Sequence, residues 1–147
     1  MARILFITQK VDKDDSVLGV YHRWIEKLSD KFHGISVICL ERGRVELPGN
    51  VHIFSLGKES NPSKISYFLN FLKYIWNLRH NYDIVFVHMN PVYVILGGIL
   101  WKLCRKSIFF WYNHPLGSWQ VKLAIFLSLE VFCTSPYSFS AKYKKTS

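Results

Sequence analysis

The sequence predicts a doubly wound α/β domain in which helices cover both faces of a six-stranded parallel sheet. Short runs of β-branched and aromatic residues recur along the chain, and helix-length segments with apolar residues every three or four positions separate most of them. Several runs end abruptly in polar residues. Strands that are apolar on both faces are typical of parallel sheets. Six strands joined by helical crossovers suit the order 3-2-1-4-5-6.

The first half of the chain predicts three strands, at residues 3–8, 35–40 and 51–56. A helix should begin after a cap at Asp15 or Ser16 and end at Gly34, in the C′ position that favours glycine. Its apolar spacing is helical, through Val17, Tyr21, Trp24 and Leu28. A second helix covers residues 63–80 and is unusually apolar. We expect it to pack on the sheet, and the alternative is a membrane-surface helix with basic residues near the headgroups.

The second half predicts three more strands, at residues 83–88, 107–112 and 130–135. Helices are expected at residues 92–105, 118–128 and 136–144. Gly97 and Gly98 weaken the first of these helices and indicate close packing on the sheet rather than a phosphate-binding loop. Residues 107–115 are the most informative stretch, because an aromatic strand there stops suddenly at Asn113, His114 and Pro115.

Polar residues follow four of the predicted strands. They are Gln9, His88, Asn90, Asn113, His114, Thr134 and Ser135. Ligands of doubly wound sheets bind at the carboxyl ends of the strands, where strands 1 and 4 part, so we expect these side chains to line a common cleft. His114 could act as a general base, as a hydrogen-bond donor to a sugar or phosphate, or as a structural histidine bonded to a carbonyl. Asp12, Asp14 and Asp15 could bind a metal or act as a base, but helix capping and solvation explain them better.

Several classes of function lack their signatures. The sequence has no GxGxxG, Walker or GxSxG motif, and its histidines and cysteines lack metal-ligand spacing, so no cofactor and no metal are expected. The net charge of +9 favours an anionic partner, such as an acidic lipid surface. Nucleic acid is not expected, because no basic stripe with interleaved aromatics is visible. Three cysteines without CxxC spacing and no signal peptide indicate a cytoplasmic protein, with peripheral membrane contact as an option.

Motifs along almost the whole chain share their order and spacing with one family. They are residues 3–9, Leu18-Gly19 through Trp24 and Leu28, then residues 47–51, 55–59, 82–85, 111–114 and 134–136, followed by Ser138-Phe139. In this they resemble the amino-terminal, acceptor-side domain of a family 4 glycosyltransferase (glycosyl transferase group 1 type) of the GT-B architecture. The resemblance implies a Rossmann-like domain that forms one half of a GT-B fold.

The resemblance also implies transfer of a sugar, with retention, from a nucleotide-sugar donor to a glycan or lipid-linked acceptor. His114 matches a histidine that lies beside the transferred sugar, which implies a catalytic role. Gly19 matches the second glycine of a loop that faces the donor phosphates, whereas Leu18 replaces the first. The full set of expected substrate-binding residues is Gln9, Ser16, Gly19, His88, Asn90, Asn113 and Ser135.

The family's second domain, which binds the donor nucleotide, is not found within residues 1–147. We therefore expect one amino-terminal domain that is inactive until a donor-binding domain or subunit is supplied. The other hypothesis is a non-catalytic Rossmann-like binding or scaffold module docked on an anionic membrane surface.

Overall fold

The computed structural model describes residues 2–147, and its six strands form one parallel sheet in the order β3-β2-β1-β4-β5-β6. This confirms the predicted fold class and strand order. The strands are β1 Arg3–Val11, β2 Gly34–Arg42, β3 Val51–Ser55, β4 Ile84–His88, β5 Ser107–Trp111 and β6 Glu130–Phe132. The α-helices are α1 Gly19–Ser29, α2 Lys64–Asn77, α3 Pro91–Leu103 and α4 Trp119–Leu127.

Two compact units divide the chain after Asp83. The first unit contains β1 to β3 with α1 and α2, and the second unit, Ile84–Ser147, contains β4 to β6 with α3 and α4. Within the first unit, β2 pairs in parallel with both β1 and β3. Within the second unit, β5 pairs in parallel with both β4 and β6. Buried aliphatic and aromatic side chains of these strands form the core of each unit.

The first strand is longer than the sequence predicted. β1 continues to Val11 because β2 also continues, so that Lys10 pairs with Glu41 and buried Val11 pairs with Arg42. Gln9 therefore lies on the strand itself, with its side chain exposed, rather than in the loop that follows.

The predicted end of the first helix is wrong. α1 ends at Ser29, and Gly34 is the first residue of β2. No glycine is needed at the helix end, because the side chain of Asn50 donates hydrogen bonds to the free carbonyls there. Its Nδ2 donates to the carbonyl oxygens of Ser29 at 2.9 Å and Phe32 at 3.3 Å. Unpaired carbonyls at a helix end need such partners.

The two glycines of α3 allow close packing, as expected, but the neighbours are not those predicted. A Cβ at Gly97 would lie 2.4 Å from the ring of Trp101, which is fully buried. A Cβ at Gly98 would lie 3.0 Å from Cδ1 of Leu127 on α4. The glycines therefore make room for an indole and for the neighbouring helix.

The last predicted helix is only a short 3-10 segment, Phe139–Lys142. The hydroxyls of its N-cap residue, Ser138, and of Ser140 both donate at 2.9 Å to the carbonyl oxygen of Tyr112. These bonds tie the segment to the end of β5 instead of extending a regular helix.

The second helix buries less of its apolar surface than expected. Ser63 caps it, because its hydroxyl accepts a bond from the amide of Ser66. Phe71 and Ile75 are buried, which confirms packing along one face. Four large apolar side chains are exposed: Ile65, Phe68, Leu69 and Trp76. In the part of the chain that the structure describes, no helix combines the length and apolar character needed to cross a bilayer.

Candidate functional site

The carboxyl end of β5 leads into a turn that is fixed by three hydrogen bonds and that exposes His114. The amide of Tyr112 donates to the carbonyl of Phe132 at 3.0 Å, and the amide of Phe139 donates to the carbonyl of His114 at 2.9 Å. The hydroxyl of Tyr112 donates to the carbonyl of Leu116 at 2.6 Å. A side chain on a turn this well bonded keeps its position without being buried, as binding residues on rigid scaffolds do.

The hydrogen bond to the imidazole of His114 fixes which nitrogen carries the proton. The amide of Leu116 donates to Nδ1 at 3.1 Å, so Nδ1 is the acceptor and the neutral ring carries its proton on Nε2. The Nε2–H can then donate to a sugar hydroxyl or a phosphate oxygen. Proton abstraction by Nε2 would require the other tautomer and the loss of the Leu116 bond. The geometry therefore favours a hydrogen-bond donor over a general base.

An open concavity of about 390 Å³ lies beside this histidine. Its lining residues are Met89, Pro91, Tyr112, His114, Leu116, Gly117, Ser118 and Val121. Apolar walls with a few placed polar groups are typical of small-molecule sites. Gly117 is needed in this wall, because a Cβ there would lie 2.3 Å from the ring of Phe139.

Asn113 joins the ends of β5 and β6. Its Oδ1 accepts from the amides of Thr134 and Ser135, both at 3.1 Å, and its Nδ2 donates to the hydroxyl of Thr134 at 3.0 Å. Its own amide donates to the sulfur of Met89 at 3.3 Å. The structure therefore brings Asn113 and Ser135 together, as predicted. One Nδ2 hydrogen is left over from these bonds, and its contact with a ligand stays a prediction.

Replacing Asn113 with alanine should destabilise the domain by about 2 kcal/mol, because it breaks the bonds to both backbone amides at once. Urea unfolding followed by circular dichroism measures this. Asn113→Asp is the matched control, since its carboxylate still accepts from both amides, and it should lose less. Equal stability of the alanine variant and the wild type would contradict the bridging role.

The end of β4 carries two of the predicted site residues. One of them is buried and the other caps a helix. His88 is only 6% exposed, and burial lowers its pKa to about 4, so its ring is neutral at pH 7. Asn90 caps α3, since its Oδ1 accepts from the amide of Val92 at 3.1 Å ahead of Pro91. Met89, between them, has a φ of 62°, which is rare for a residue with a side chain. Ligand contacts of His88 and Asn90 stay predictions.

In the first unit, Ser16 and Gly19 line a polar concavity of about 480 Å³. The other lining residues are Lys13, Asp15, His22, Arg23, Glu26 and Glu46. A Cβ at Gly19 would lie 3.3 Å from the carbonyl oxygen of Lys13, so glycine lets α1 begin close to the preceding loop. Gln9 is not among the lining residues. Contact between Gly19 and a donor phosphate stays a prediction.

The aspartates after β1 order the loop. Asp15 Oδ1 accepts from the amides of Val17 at 2.9 Å and Leu18 at 2.7 Å, in the turn before α1. The predicted helix cap at Asp15 or Ser16 is wrong, because the N-cap of α1 is Leu18 and no side chain caps it. Lys10 Nζ lies 2.9 Å from Asp15, 3.2 Å from Asp12 and 3.3 Å from Glu41. Its bond to Asp15 lowers the pKa of that carboxyl to about 2, and the same carboxylates raise the pKa of Lys10. Within residues 2–147, no group of three His, Cys, Asp or Glu side chains could hold a metal ion.

Sequence reasoning assigned no role to Ser138 or Ser140, whose hydroxyls both reach the carbonyl of Tyr112. They support the turn that carries His114. Nothing in their local sequence indicates it, because the acceptor lies more than twenty residues earlier in the chain.

No family model matches this sequence, and no curated protein matches it. Solved structures do match it. MurG of Acinetobacter baumannii aligns with the whole chain at 10% identity and a TM-score of 0.60, and 44% of MurG is covered. The fold is that of a Rossmann-like GT-B half. The chain spans less than half the length of MurG, and the same holds for the two structures described next.

Two other solved structures share the fold. UDP-GlcNAc 2-epimerase of Methanocaldococcus jannaschii aligns with 92% of the chain and is 40% covered, at 13% identity and a TM-score of 0.57. The lipopolysaccharide outer core galactosyltransferase WaaB aligns with 88% and is 38% covered, at 16% identity and a TM-score of 0.54. Likeness at these identities establishes the fold and leaves the reaction open.

Proposed function

We propose that this chain is the acceptor-side half of a retaining glycosyltransferase of family 4. It would act on a nucleotide-sugar donor and a glycan or lipid-linked acceptor. The observation that carries the proposal is the exposed Nε2–H of His114, held on a bonded turn at the carboxyl end of β5. The shared fold with MurG and WaaB, one of which is named as a galactosyltransferase, supports it.

The chemistry assigns His114 to orientation of the transferred sugar. A fixed donor that bonds a sugar hydroxyl holds the anomeric carbon in place, and the same donor stabilises oxygen atoms that gain charge as the diphosphate leaves. Stabilising a departing diphosphate also needs cations or helix amino termini. In this proposal a donor-binding domain or subunit supplies these groups. The chain alone would then be inactive.

The proposal needs no metal and no cofactor. It places the protein in the cytoplasm, because its three cysteines, Cys39, Cys104 and Cys133, are free thiols and free thiols are the rule in reducing compartments.

Binding of donor sugars by the chain itself tests the proposal. We expect UDP-glucose, UDP-galactose or UDP-GlcNAc to shift the backbone ¹H–¹⁵N signals of residues 112–118. UMP, which lacks the sugar, should leave residues 112–118 unchanged. Product analysis after a donor-binding domain or subunit has been added to these mixtures separates the two enzyme classes that share this fold. Appearance of a 2-epimer of UDP-GlcNAc, or shifts confined to other regions, would overturn the glycosyltransferase assignment.

A second candidate function is a non-catalytic module docked on an anionic membrane, and the surface of α2 favours it. Ile65, Leu69 and Trp76 are exposed on a helix that carries no acidic residue and has exposed lysines at Lys64 and Lys73. Such a helix suits the boundary between headgroups and acyl chains. Sedimentation of the Ile65→Ser, Leu69→Ser double variant with phosphatidylglycerol vesicles, compared with the wild type, measures the contribution of this helix.

A further inference from the structure

The positive charge of the chain is concentrated in its second unit. Residues 84–147 contain seven lysines and arginines and one carboxylate, Glu130, which gives +6 of the total +9. The hydroxyl of Ser147 bonds to that carboxylate. Eight ion pairs lie within the first unit. Lys102 and Arg105, which line the pocket described next, take part in none of these ion pairs.

Four of these cations surround one pocket of about 560 Å³, where α3 and α4 end and β5 begins. Its lining residues are Lys102, Arg105, Lys106, Ser107, Ile108, Leu127, Ser128, Leu129 and Lys145. No carboxylate is among them. The cations come from two separate stretches of chain, since Lys145 follows β6 whereas the other three end α3 or follow it. We name this the basic pocket.

Arg105 occupies a backbone position that favours glycine. Its φ is 55°, its amide donates to the carbonyl of Lys102, and the amide of Lys106 donates to the carbonyl of Trp101. These two bonds form a Schellman motif, in which Arg105 is the left-handed C′ residue. The guanidinium beside the pocket therefore belongs to a residue whose backbone conformation would be less strained in glycine.

Exposed large apolar side chains occur on the same segments of chain that line the basic pocket. Ile99, Leu103, Phe126 and Leu129 are between 63% and 78% exposed. The ring of Phe126 lies 5.6 Å from Nζ of Lys102 and 5.8 Å from Nζ of Lys145. These segments therefore combine ammonium groups, a guanidinium and exposed apolar side chains, and no carboxylate lines the pocket.

We propose that the basic pocket binds the phosphate headgroup of an anionic phospholipid while these apolar side chains enter the interface. A phosphate matches the pocket in charge, and arginine bonds phosphate through two N–H groups. The aliphatic side chains match the acyl boundary, and they offer no flat ring for stacking a nucleic-acid base except Phe126.

This lipid site is separate from the histidine site. The pocket lies at Ser107, where β5 begins, and His114 lies beyond Trp111, where it ends, so the strand keeps them about 17 Å apart. Vesicle binding is measured without donor or acceptor, so the test of the lipid site is independent of the test of sugar transfer.

Vesicle co-sedimentation of the full chain with the variant Lys102→Gln, Arg105→Gly tests the site. Wild type should bind vesicles of phosphatidylglycerol and phosphatidylcholine (about 3:7) and bind pure phosphatidylcholine weakly; the variant should bind the anionic vesicles about 30-fold more weakly. Arg105→Gly should leave the melting temperature unchanged or raise it, because glycine suits that φ. Lys145 is left in place, since its Nζ also bonds the carbonyls of Phe126 and Ser128 at 3.0 Å.

The matched control is Lys27→Gln, Lys31→Gln, which removes two exposed cations from the first unit and should weaken binding less than about threefold. Leu103→Asn, Leu129→Asn should reduce the binding that remains at high salt, where charge attraction is screened. Equal losses in the pocket variant and the control would overturn the site in favour of general charge attraction. Protection against unfolding by inorganic phosphate without vesicle binding, or pocket-dependent binding of a single-stranded oligonucleotide instead of vesicles, would overturn the lipid assignment.

Discussion

Lowering the pH from 7 to 4 should cost the protein about 3 kcal/mol of stability through His88, because one pKa unit corresponds to about 1.4 kcal/mol. Burial lowers the pKa of His88 from 6.5 to about 4. Between pH 6.5 and about pH 4, the histidine is protonated in the unfolded chain but stays neutral in the folded protein. Stability is therefore full above pH 6.5 and falls as the pH drops toward 4. Burial disfavours the charged form of the ring, which is why its pKa in the folded protein is low.

Urea unfolding at pH 4, 5, 6 and 7 measures this loss, and His88→Gln isolates it. The amide does not titrate, so the variant should be less stable at pH 7 but should lose less stability on acidification. Carboxylates such as Asp15, whose pKa is about 2, contribute at lower pH in both proteins and cancel in the comparison. His52→Gln, at an exposed position of β3, is the control. Parallel curves for the wild type and His88→Gln would contradict the assigned pKa.

The sheet could be predicted from the sequence because its determinants are local. A strand that is buried on both faces must be apolar at nearly every position, and crossover helices show their own spacing, so alternation of the two gives the strand order. The errors occur where a distant side chain replaces a local signal. Gly34 resembled a helix end, but Asn50 bonds the carbonyls of Ser29 and Phe32 after the helix, and Gly34 begins β2.

The sequence predicted where the residues of the candidate site lie better than it predicted what each of them does. Asn113, His114 and Ser135 do gather at the carboxyl ends of β5 and β6. The spacing could not reveal that Asn113 bonds two amides from another strand, or that Leu116 fixes the tautomer of His114, because both depend on atoms that meet only after folding. The charge concentrated around the basic pocket was missed for the same reason. Lys102 and Lys145 are far apart in sequence and share one pocket.

His114→Ala should lower kcat/KM for sugar transfer by at least about 100-fold, which corresponds to about 2.7 kcal/mol of transition-state stabilisation. The assay uses the full chain together with the donor-binding domain or subunit that restores transfer of a radiolabelled sugar. The ring is exposed and makes a single side-chain bond, so the melting temperature should change little. A large loss of activity with an unchanged melting temperature would separate a role in the reaction from a role in folding.

The two chemical roles of this histidine differ in what glutamine can replace. The side-chain amide of His114→Gln can donate where Nε2–H donates, but it cannot take up a proton. If His114 donates a hydrogen bond, as its contact with Leu116 indicates, this variant should recover at least about a tenth of the lost rate, with the same pH profile as the wild type. A general base would instead leave the glutamine variant as inactive as the alanine variant. Wild-type activity of the alanine variant would remove His114 from the reaction and would leave the concavity beside it without its only imidazole.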